Sequence, residues 1–173
     1  MSADDLRARI REIPDFPKPG ILFYDMTTLL KDAGAFKEAV DLMTAPFRGE
    51  KVDLVVGMES RGFIFSAPMA IELGAGFVPV RKLGKLPAET VSVEYALEYG
   101  TNTLEIHKDA IAPGQRVLVV DDLLATGGTV VGTTELLTML KAEIVGLSFL
   151  VELSSLKGRE RLAKHKVHSV IEY

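Results

Sequence analysis

The 173-residue sequence contains no cysteine, which excludes a disulfide framework, a thiolate nucleophile and a cysteine-ligated zinc site. It also has no excess of basic residues, and its net charge of -4 offers no electrostatic footprint for nucleic acid or an anionic membrane. No apolar run approaches the roughly 20 residues of a membrane-spanning helix, and residues 1–13 lack the apolar core of a secretion signal. We therefore expect a cytoplasmic protein that binds neither nucleic acid nor membranes.

Two common nucleotide-binding motifs are also missing. The sequence has no G-x-x-x-x-G-K-[ST], which excludes a P-loop, and no G-x-G-x-x-G between a strand and a helix. The nearest match, Gly74-x-Gly76, stands at the end of a predicted helix and is better interpreted as a helix C-cap.

The composition is that of one globular domain spanning 1–173, with 47% hydrophobic and 25% charged residues. Apolar segments of strand type alternate with segments of helical periodicity along most of the chain. Strands are predicted at 53–57, 77–80, 116–120 and 144–151, and helices after a cap at Asp32, at 62–73 and at 129–141. This alternation predicts an α/β fold with a mostly parallel central sheet and helices on both faces.

Two regions depart from the alternation. Within residues 2–13, Leu6, Ile10 and Ile13 have helical spacing, and a proline-rich stretch then keeps the chain extended up to a short apolar segment at 21–24. Apolar residues alternate with polar ones from 91 to 98, which predicts a strand with one solvated face in a hairpin over the site.

The segment 117–129 carries the main chemical signal: a buried strand ends in Asp121 and Asp122, turns through a loop of small residues and opens a helix. Ligands of open α/β sheets bind at the carboxyl ends of strands. Backbone N–H groups at a helix N-terminus bind phosphate, and glycine allows it to approach closely. The predicted phosphate loop consists of Ala125, Thr126, Gly127, Gly128 and Thr129.

The two acids need a different partner, because an ionised carboxylate accepts hydrogen bonds and repels phosphate. Sugar hydroxyls or a metal ion satisfy Asp121 and Asp122, so the segment as a whole suits a ribose 5-phosphate. Adjacent residues of an extended strand point to opposite faces, so both acids reach one ligand only if the strand bends before them.

This segment resembles the phosphoribosyl pyrophosphate (PRPP) motif of type I phosphoribosyltransferases, and five further segments resemble the adenine-specific members of that family. Those segments span nearly the whole chain in family order and are 13–23, 59–63, 81–87, 97–100 and 151–160. The resemblance implies the type I phosphoribosyltransferase fold, with a small hood formed mainly by about residues 1–30 and a flexible catalytic hairpin loop.

The resemblance also implies a pyrophosphate site. Glu59, Ser60 and Arg61 would bind pyrophosphate, with a cis peptide between Glu59 and Ser60, and a guanidinium suits such a ligand. A basic cluster of Arg81, Lys82 and Lys85 would clamp the leaving group and can act across a dimer interface. Without the resemblance, such charges are usually solvated.

For the base, the resemblance implies contacts from Leu22, Phe23 and Tyr24. Phe23 would stack on adenine, while backbone groups of Leu22 and Tyr24 read its edge. The family often has arginine in place of Tyr24, which leaves a backbone contact intact but removes any arginine side-chain role. Glu98 would be the catalytic carboxylate and Tyr99 would cover the site.

The expected activity is transfer of the 5-phosphoribosyl group from PRPP to adenine, giving AMP and pyrophosphate, by a homodimer. Mg²⁺ is the expected cofactor, held mainly through PRPP with Asp121 and Asp122 as candidate ligands. Two alternatives stay open: a phosphoribosyltransferase for a 6-oxopurine, and a non-catalytic PRPP-binding regulator. His107, His165 and His168 are predicted to be ordinary surface residues.

Overall fold

The computed structural model of the protein describes residues 1–96 and 100–173. Within them the strands are β1 (Arg11–Ile13), β2 (Phe23–Asp25), β3 (Leu54–Met58), β4 (Gly76–Lys82), β5 (Thr90–Ala96), β6 (Thr101–His107), β7 (Arg116–Leu124), β8 (Glu143–Glu152) and β9 (Val167–Glu172). The helices are α1 (Ala3–Arg7), α2 (Thr27–Leu30), α3 (Ala33–Thr44), α4 (Gly62–Leu73) and α5 (Gly128–Met139), with 3₁₀ turns at Ala45–Phe47, Ser154–Leu156 and Gly158–Leu162.

Seven strands form the central sheet in the order β5-β6-β4-β3-β7-β8-β9. The neighbours from β4 to β9 pair in parallel, and β5 and β6 add an antiparallel hairpin at one edge. The mostly parallel sheet is confirmed, as is the period-two strand at its edge. Parallel strands place their carboxyl ends along one side, where α/β proteins bind ligands.

Alternate residues of the central strands enter two separate cores. Val55 and Leu118 pack with α3 and α4 on one face, whereas Val56 and Val119 pack with α5 on the other. A strand buried on both faces must be apolar at nearly every position, which explains the continuous run in β7. Helices on both faces are therefore confirmed.

Local sequence sets the ends of several helices as predicted. The Asp32 carboxylate accepts a hydrogen bond from the backbone N–H of Ala35 at 3.0 Å and caps α3. Gly74 ends α4 with φ +65°, a left-handed conformation that favours glycine. In contrast, the helical prediction for 2–13 is wrong beyond Arg7, because residues 11–13 form β1 and pair with β2. Ile13 precedes a proline, a position that disfavours helix.

Two further differences concern strands. β9 was not predicted from the sequence, and β7 continues four residues beyond the predicted end at 120, so that it includes both acids. Within the described ranges, no helix is long and apolar enough to cross a membrane.

Candidate active site

A polar cleft of about 620 Å³ opens at the carboxyl ends of the parallel strands. It brings together predicted residues from three separate parts of the chain. They are Glu59, Ser60, Arg61, Lys82, Asp121, Asp122, Ala125 and Thr129. Tyr95, Asn102, Leu104 and Leu123 also line the cleft, and none of them was predicted individually as a site residue. The hairpin β5–β6 contributes three of these four, so it forms a wall of the cleft.

The predicted phosphate loop lies between β7 and α5. Gly127 is the N-cap of α5 and has φ +85°, and α5 begins at Gly128, so the first N–H groups of the helix face the loop. A depression of about 80 Å³ is lined by all five predicted loop residues and by Asp121. The geometry is that of an anion-binding helix N-terminus that borders a carboxylate.

Both acids line the cleft, and β7 has a register irregularity against β8 before it reaches them. The pairing of β7 with β3 ends at Val120, whereas its pairing with β8 continues to Leu124, so Asp121 and Asp122 stand where one side of the strand is open. Burial, and secondarily the charge of Asp122, raise the pKa of Asp121 well above its ordinary value. Asp121 lies close to the start of α4, where a side chain on Gly62 would come within 2.8 Å of its Oδ1.

Arg61 joins the cleft to a second pocket. Its Nε lies 2.8 Å from Oδ2 of Asp122, a carboxylate that is only 5% exposed. Its guanidinium carbon also lies 5.8 Å from the centre of the Phe23 ring. One arginine therefore contacts the predicted ribose-binding acid and the predicted base-stacking ring.

Glu59 and Ser60 are joined by a cis peptide bond, as the family resemblance implied. The Glu59 side chain turns toward the basic cluster: its Oε1 accepts from Nε of Arg81 at 3.0 Å. Arg81 is thus engaged with Glu59 and is not among the residues lining the cleft, and neither is the exposed Lys85. In this conformation Lys82 is the member of the cluster that lines the cleft, and the clamping role of the other two stays a prediction.

The second pocket, of about 400 Å³, is largely apolar and contains Phe23. Phe16 packs edge-on against Phe23 at 5.1 Å between ring centres. The pocket is also lined by Ile13, Met26, Leu30, Ile64 and Phe65, and it is closed on the cleft side by Arg61 and Asp122. A separate apolar groove between α3 and α4 contains none of the predicted site residues.

The side chains that flank Phe23 lie outside this pocket. Leu22 is 42% exposed, and the ring of Tyr24 stacks on Tyr173 with centres 4.0 Å apart. The guanidinium carbon of Arg7 also lies over the Tyr173 ring, 4.9 Å from its centre. The backbone contacts predicted for Leu22 and Tyr24 are thus compatible with a Tyr24 ring directed away from the base.

Asp25 is one of the polar residues that line the second pocket. Its carboxylate accepts hydrogen bonds from the hydroxyl and the backbone N–H of Thr27, at 2.7 and 2.9 Å, and from Nε of Arg11 at 3.1 Å. The Thr27 hydroxyl, followed by Arg11, lowers the pKa of Asp25 to about 2 from its ordinary value of 3.8. The ionised carboxylate therefore stabilises the folded state above about pH 4, and this stabilisation is lost as the pH falls toward 2.

We expect Asp25→Asn to lower the free energy of unfolding at pH 7 by about 1–2 kcal/mol, since hydrogen bonds to a charged group are lost. The deficit should shrink between pH 4 and pH 2, where the wild-type carboxylate takes up a proton. Urea unfolding of both proteins from pH 2 to pH 7 measures this difference. A deficit that stays constant over that range would exclude the charge as its cause.

The predicted catalytic Glu98 and covering residue Tyr99 lie outside the described residues. The surface interpretation of the histidines is wrong for His168, whose Nε2 lies 3.0 Å from the carbonyl oxygen of Leu42 and whose ring packs edge-on against Phe47. Its burial lowers the pKa of His168.

Comparison with known proteins agrees with this geometry. Residues 27–172 match the phosphoribosyl transferase domain, and the chain belongs to that family. Within the family it belongs with the adenine phosphoribosyltransferases. The relative from Koribacter versatilis is 58% identical over 98% of this chain and 93% of its own length.

Solved structures extend the likeness to the whole fold. Adenine phosphoribosyltransferase from Thermoanaerobacter pseudethanolicus superposes with a TM-score of 0.96 at 52% identity, over 99% of this chain and all of its own. The enzyme from Saccharomyces cerevisiae, solved with an imino-altritol bisphosphate and adenine, gives a TM-score of 0.92 at 41% identity, over 97% of each chain. The type I phosphoribosyltransferase fold is confirmed.

Proposed function

We propose that this protein transfers the 5-phosphoribosyl group of PRPP to adenine, forming AMP and releasing pyrophosphate. The observation that carries the proposal is the junction at Arg61 and Asp122, where an apolar pocket with an aromatic ring adjoins a polar cleft with a phosphate loop. A planar base and a charged sugar phosphate need these two environments side by side. The adenine phosphoribosyltransferase relatives support adenine as the base.

The reaction needs no protein nucleophile. Carbon C1 of the ribose develops positive charge as pyrophosphate leaves, and N9 of adenine attacks from the opposite face and inverts that carbon. The protein contributes orientation and electrostatic complementarity. Asp121 and Asp122 would hold the ribose hydroxyls, the loop 125–129 the 5′-phosphate, and Arg61 with Lys82 the leaving pyrophosphate. Glu98 would accept the N9 proton of adenine.

The donor set of the cleft fits Mg²⁺ bound together with PRPP. Asp121 and Asp122 offer carboxylate oxygens, and no group of three or more acidic or histidine side chains in the described part of the chain is placed to hold a metal. Mg²⁺ usually combines one or two carboxylates with substrate phosphates and waters. It would be held mainly by PRPP and would neutralise charge on the leaving group.

We further propose a cytoplasmic homodimer. Exposed apolar side chains on α4 and β4 support an interface there, with Ile71 83% and Phe77 39% exposed. A basic loop that follows β4 would then lie near the partner, which suits the expectation that Arg81 and Lys85 act across the interface. The lack of cysteine suits a reducing compartment.

The test of the activity is a panel of bases. The purified protein is mixed with PRPP and Mg²⁺, adenine, hypoxanthine, guanine or xanthine is added singly, and pyrophosphate and nucleotide are measured. We expect product with adenine alone. Product with a 6-oxopurine instead would support the assignment of the PRPP site but contradict adenine as the base. Tight PRPP binding without product from any base would favour a PRPP-binding regulator.

A further inference from the structure

The phosphate loop has a rear wall that comes from a distant part of the chain. Gly158, in the last of the segments that resemble the family, packs backbone to backbone against the loop. A side chain on Gly158 would come within 2.3 Å of the carbonyl oxygen of Ala125, and one on Gly127 within 3.1 Å of the carbonyl oxygen of Gly158. The absence of side chains at Gly127 and Gly158 therefore lets the two backbones pack together behind the loop, on the side away from the predicted phosphate position.

The same turn brings a positive charge to the loop. Nη1 of Arg161 donates a hydrogen bond to the carbonyl oxygen of Thr126 at 3.2 Å. It also lies 3.8 Å from the position that a Cβ on Gly128, the first residue of α5, would occupy. A guanidinium carries five N–H donors in a planar fork, and the contact with Thr126 occupies one of its nitrogens. Arg161 does not itself line the small depression at the loop, so its remaining nitrogens would have to turn toward an anion bound there.

The residues on either side of Arg161 are held in place by contacts with the rest of the fold. On one side of Arg161, Nε of Arg159 donates to Oε1 of the buried Glu152 at 3.0 Å, and on the other side Leu162 is 1% exposed in the core under α5. Between these anchors the backbone of Arg161 has little freedom, so its long side chain is the mobile part. This arrangement confines the entropy lost on binding a ligand largely to the side chain.

The loop itself supplies no positively charged side chain for a bound phosphate. The loop 125–129 carries no charged side chain, and the carboxylate of Asp122, which precedes it, repels a phosphate dianion. A positively charged side chain at the loop would offset this repulsion and favour the binding of a phosphate dianion over a neutral group.

We propose that Arg161 binds the 5′-phosphate of PRPP at the mouth of the loop and selects for phosphorylated ribose. The proposal rests on the proposed function, because it takes the loop as the 5′-phosphate site. Arg161 directly follows the segment 151–160, which resembles the family and for which the resemblance implied no particular role.

The test compares Arg161→Gln with Lys164→Gln, which makes the same charge change at an exposed residue three positions further on. We expect Arg161→Gln to weaken PRPP binding in calorimetry about 10-fold, as for loss of a charge-assisted hydrogen bond. Inhibition by ribose 5-phosphate should weaken by the same factor. Inhibition by pyrophosphate, the KM for adenine and kcat at saturation should change less than about twofold, and Arg161→Lys should restore part of the affinity.

Equal effects of Arg161→Gln and Lys164→Gln would overturn the proposal, because they would show a long-range effect of net charge. A parallel loss of pyrophosphate inhibition would also overturn it, since pyrophosphate belongs to the other part of the cleft. Calorimetry of PRPP does not depend on turnover. If the wild-type protein formed no AMP, the proposed function would fail while the affinity comparison still decided the role of Arg161.

Discussion

Replacing Asp122 with asparagine is expected to lower kcat/KM for PRPP by about 100-fold, because hydrogen bonds from ribose hydroxyls to a charged acceptor are lost. Asp122 is buried, lies at the junction of the two pockets and pairs with Nε of Arg61 at 2.8 Å. The same change also removes the ion pair between Asp122 and Arg61. Steady-state kinetics with varied PRPP at saturating adenine measures the loss.

A comparison of two ligands isolates the hydroxyl contact. Asp122→Asn should weaken the binding of AMP but leave that of 2′,3′-dideoxy-AMP nearly unchanged, because the dideoxy nucleotide lacks both hydroxyls. Equal weakening of the two nucleotides would show that Asp122 acts only through Arg61 or through the fold.

The control is Asp53→Asn, directly before β3 at the amino-terminal end of the parallel strands. The Asp53 carboxylate accepts a hydrogen bond from the backbone N–H of Arg116 at 2.8 Å, and an asparagine can accept the same bond. Because Arg61 is half exposed, loss of its partner should cost little stability. Both variants should therefore melt within a few degrees of the wild type, and only Asp122→Asn should lose activity.

The strands of the central sheet could be predicted because the residue patterns that indicate them lie within short stretches of the sequence. The run 116–120 is apolar at every position after Arg116, and the Gly-rich turn after two acids directly marks the helix N-terminus that follows. By contrast, β9 was missed because 167–172 mixes valine and isoleucine with histidine, serine and glutamate, and only its pairing with β8 makes it a strand.

The parts of the site that could not be predicted depend on contacts between distant residues. Arg61 forms an ion pair with Asp122, Arg81 forms one with Glu59, and the ring of Tyr24 packs against that of Tyr173. The periodicity of the sequence does not indicate such pairs. The structure places Ala125, Thr129 and Arg61 along one cleft, which is compatible with the roles that the resemblance implies for them. The resemblance did not reveal that Arg161 contacts the loop, because that contact depends on how the turn at 158–162 packs.

The largest effect on turnover is expected from Glu98, which the family resemblance makes the catalytic carboxylate. Glu98→Gln should lower kcat by about 10²–10⁴, the usual contribution of a general base. PRPP affinity should stay within about twofold, since the role concerns a proton of adenine. Rapid-quench measurement of AMP formation at saturating substrates gives the chemical step directly.

The matched control for this change is Glu94→Gln, on the exposed side of β5 four residues earlier. It makes the same chemical change in the same hairpin and should leave kcat nearly unaltered. If it slowed turnover as much as Glu98→Gln, the hairpin's charge or shape would be responsible instead of a base.

An adenine analogue with a more acidic N9–H separates proton transfer from positioning. A base matters less when the proton leaves more readily, so the deficit of Glu98→Gln should be smaller with that analogue than with adenine. If Glu98 only orients the substrate or closes the site, the deficit should be the same for both bases. A parallel fall in PRPP affinity would likewise contradict the role in proton transfer, because it would place the carboxylate in the PRPP-binding machinery.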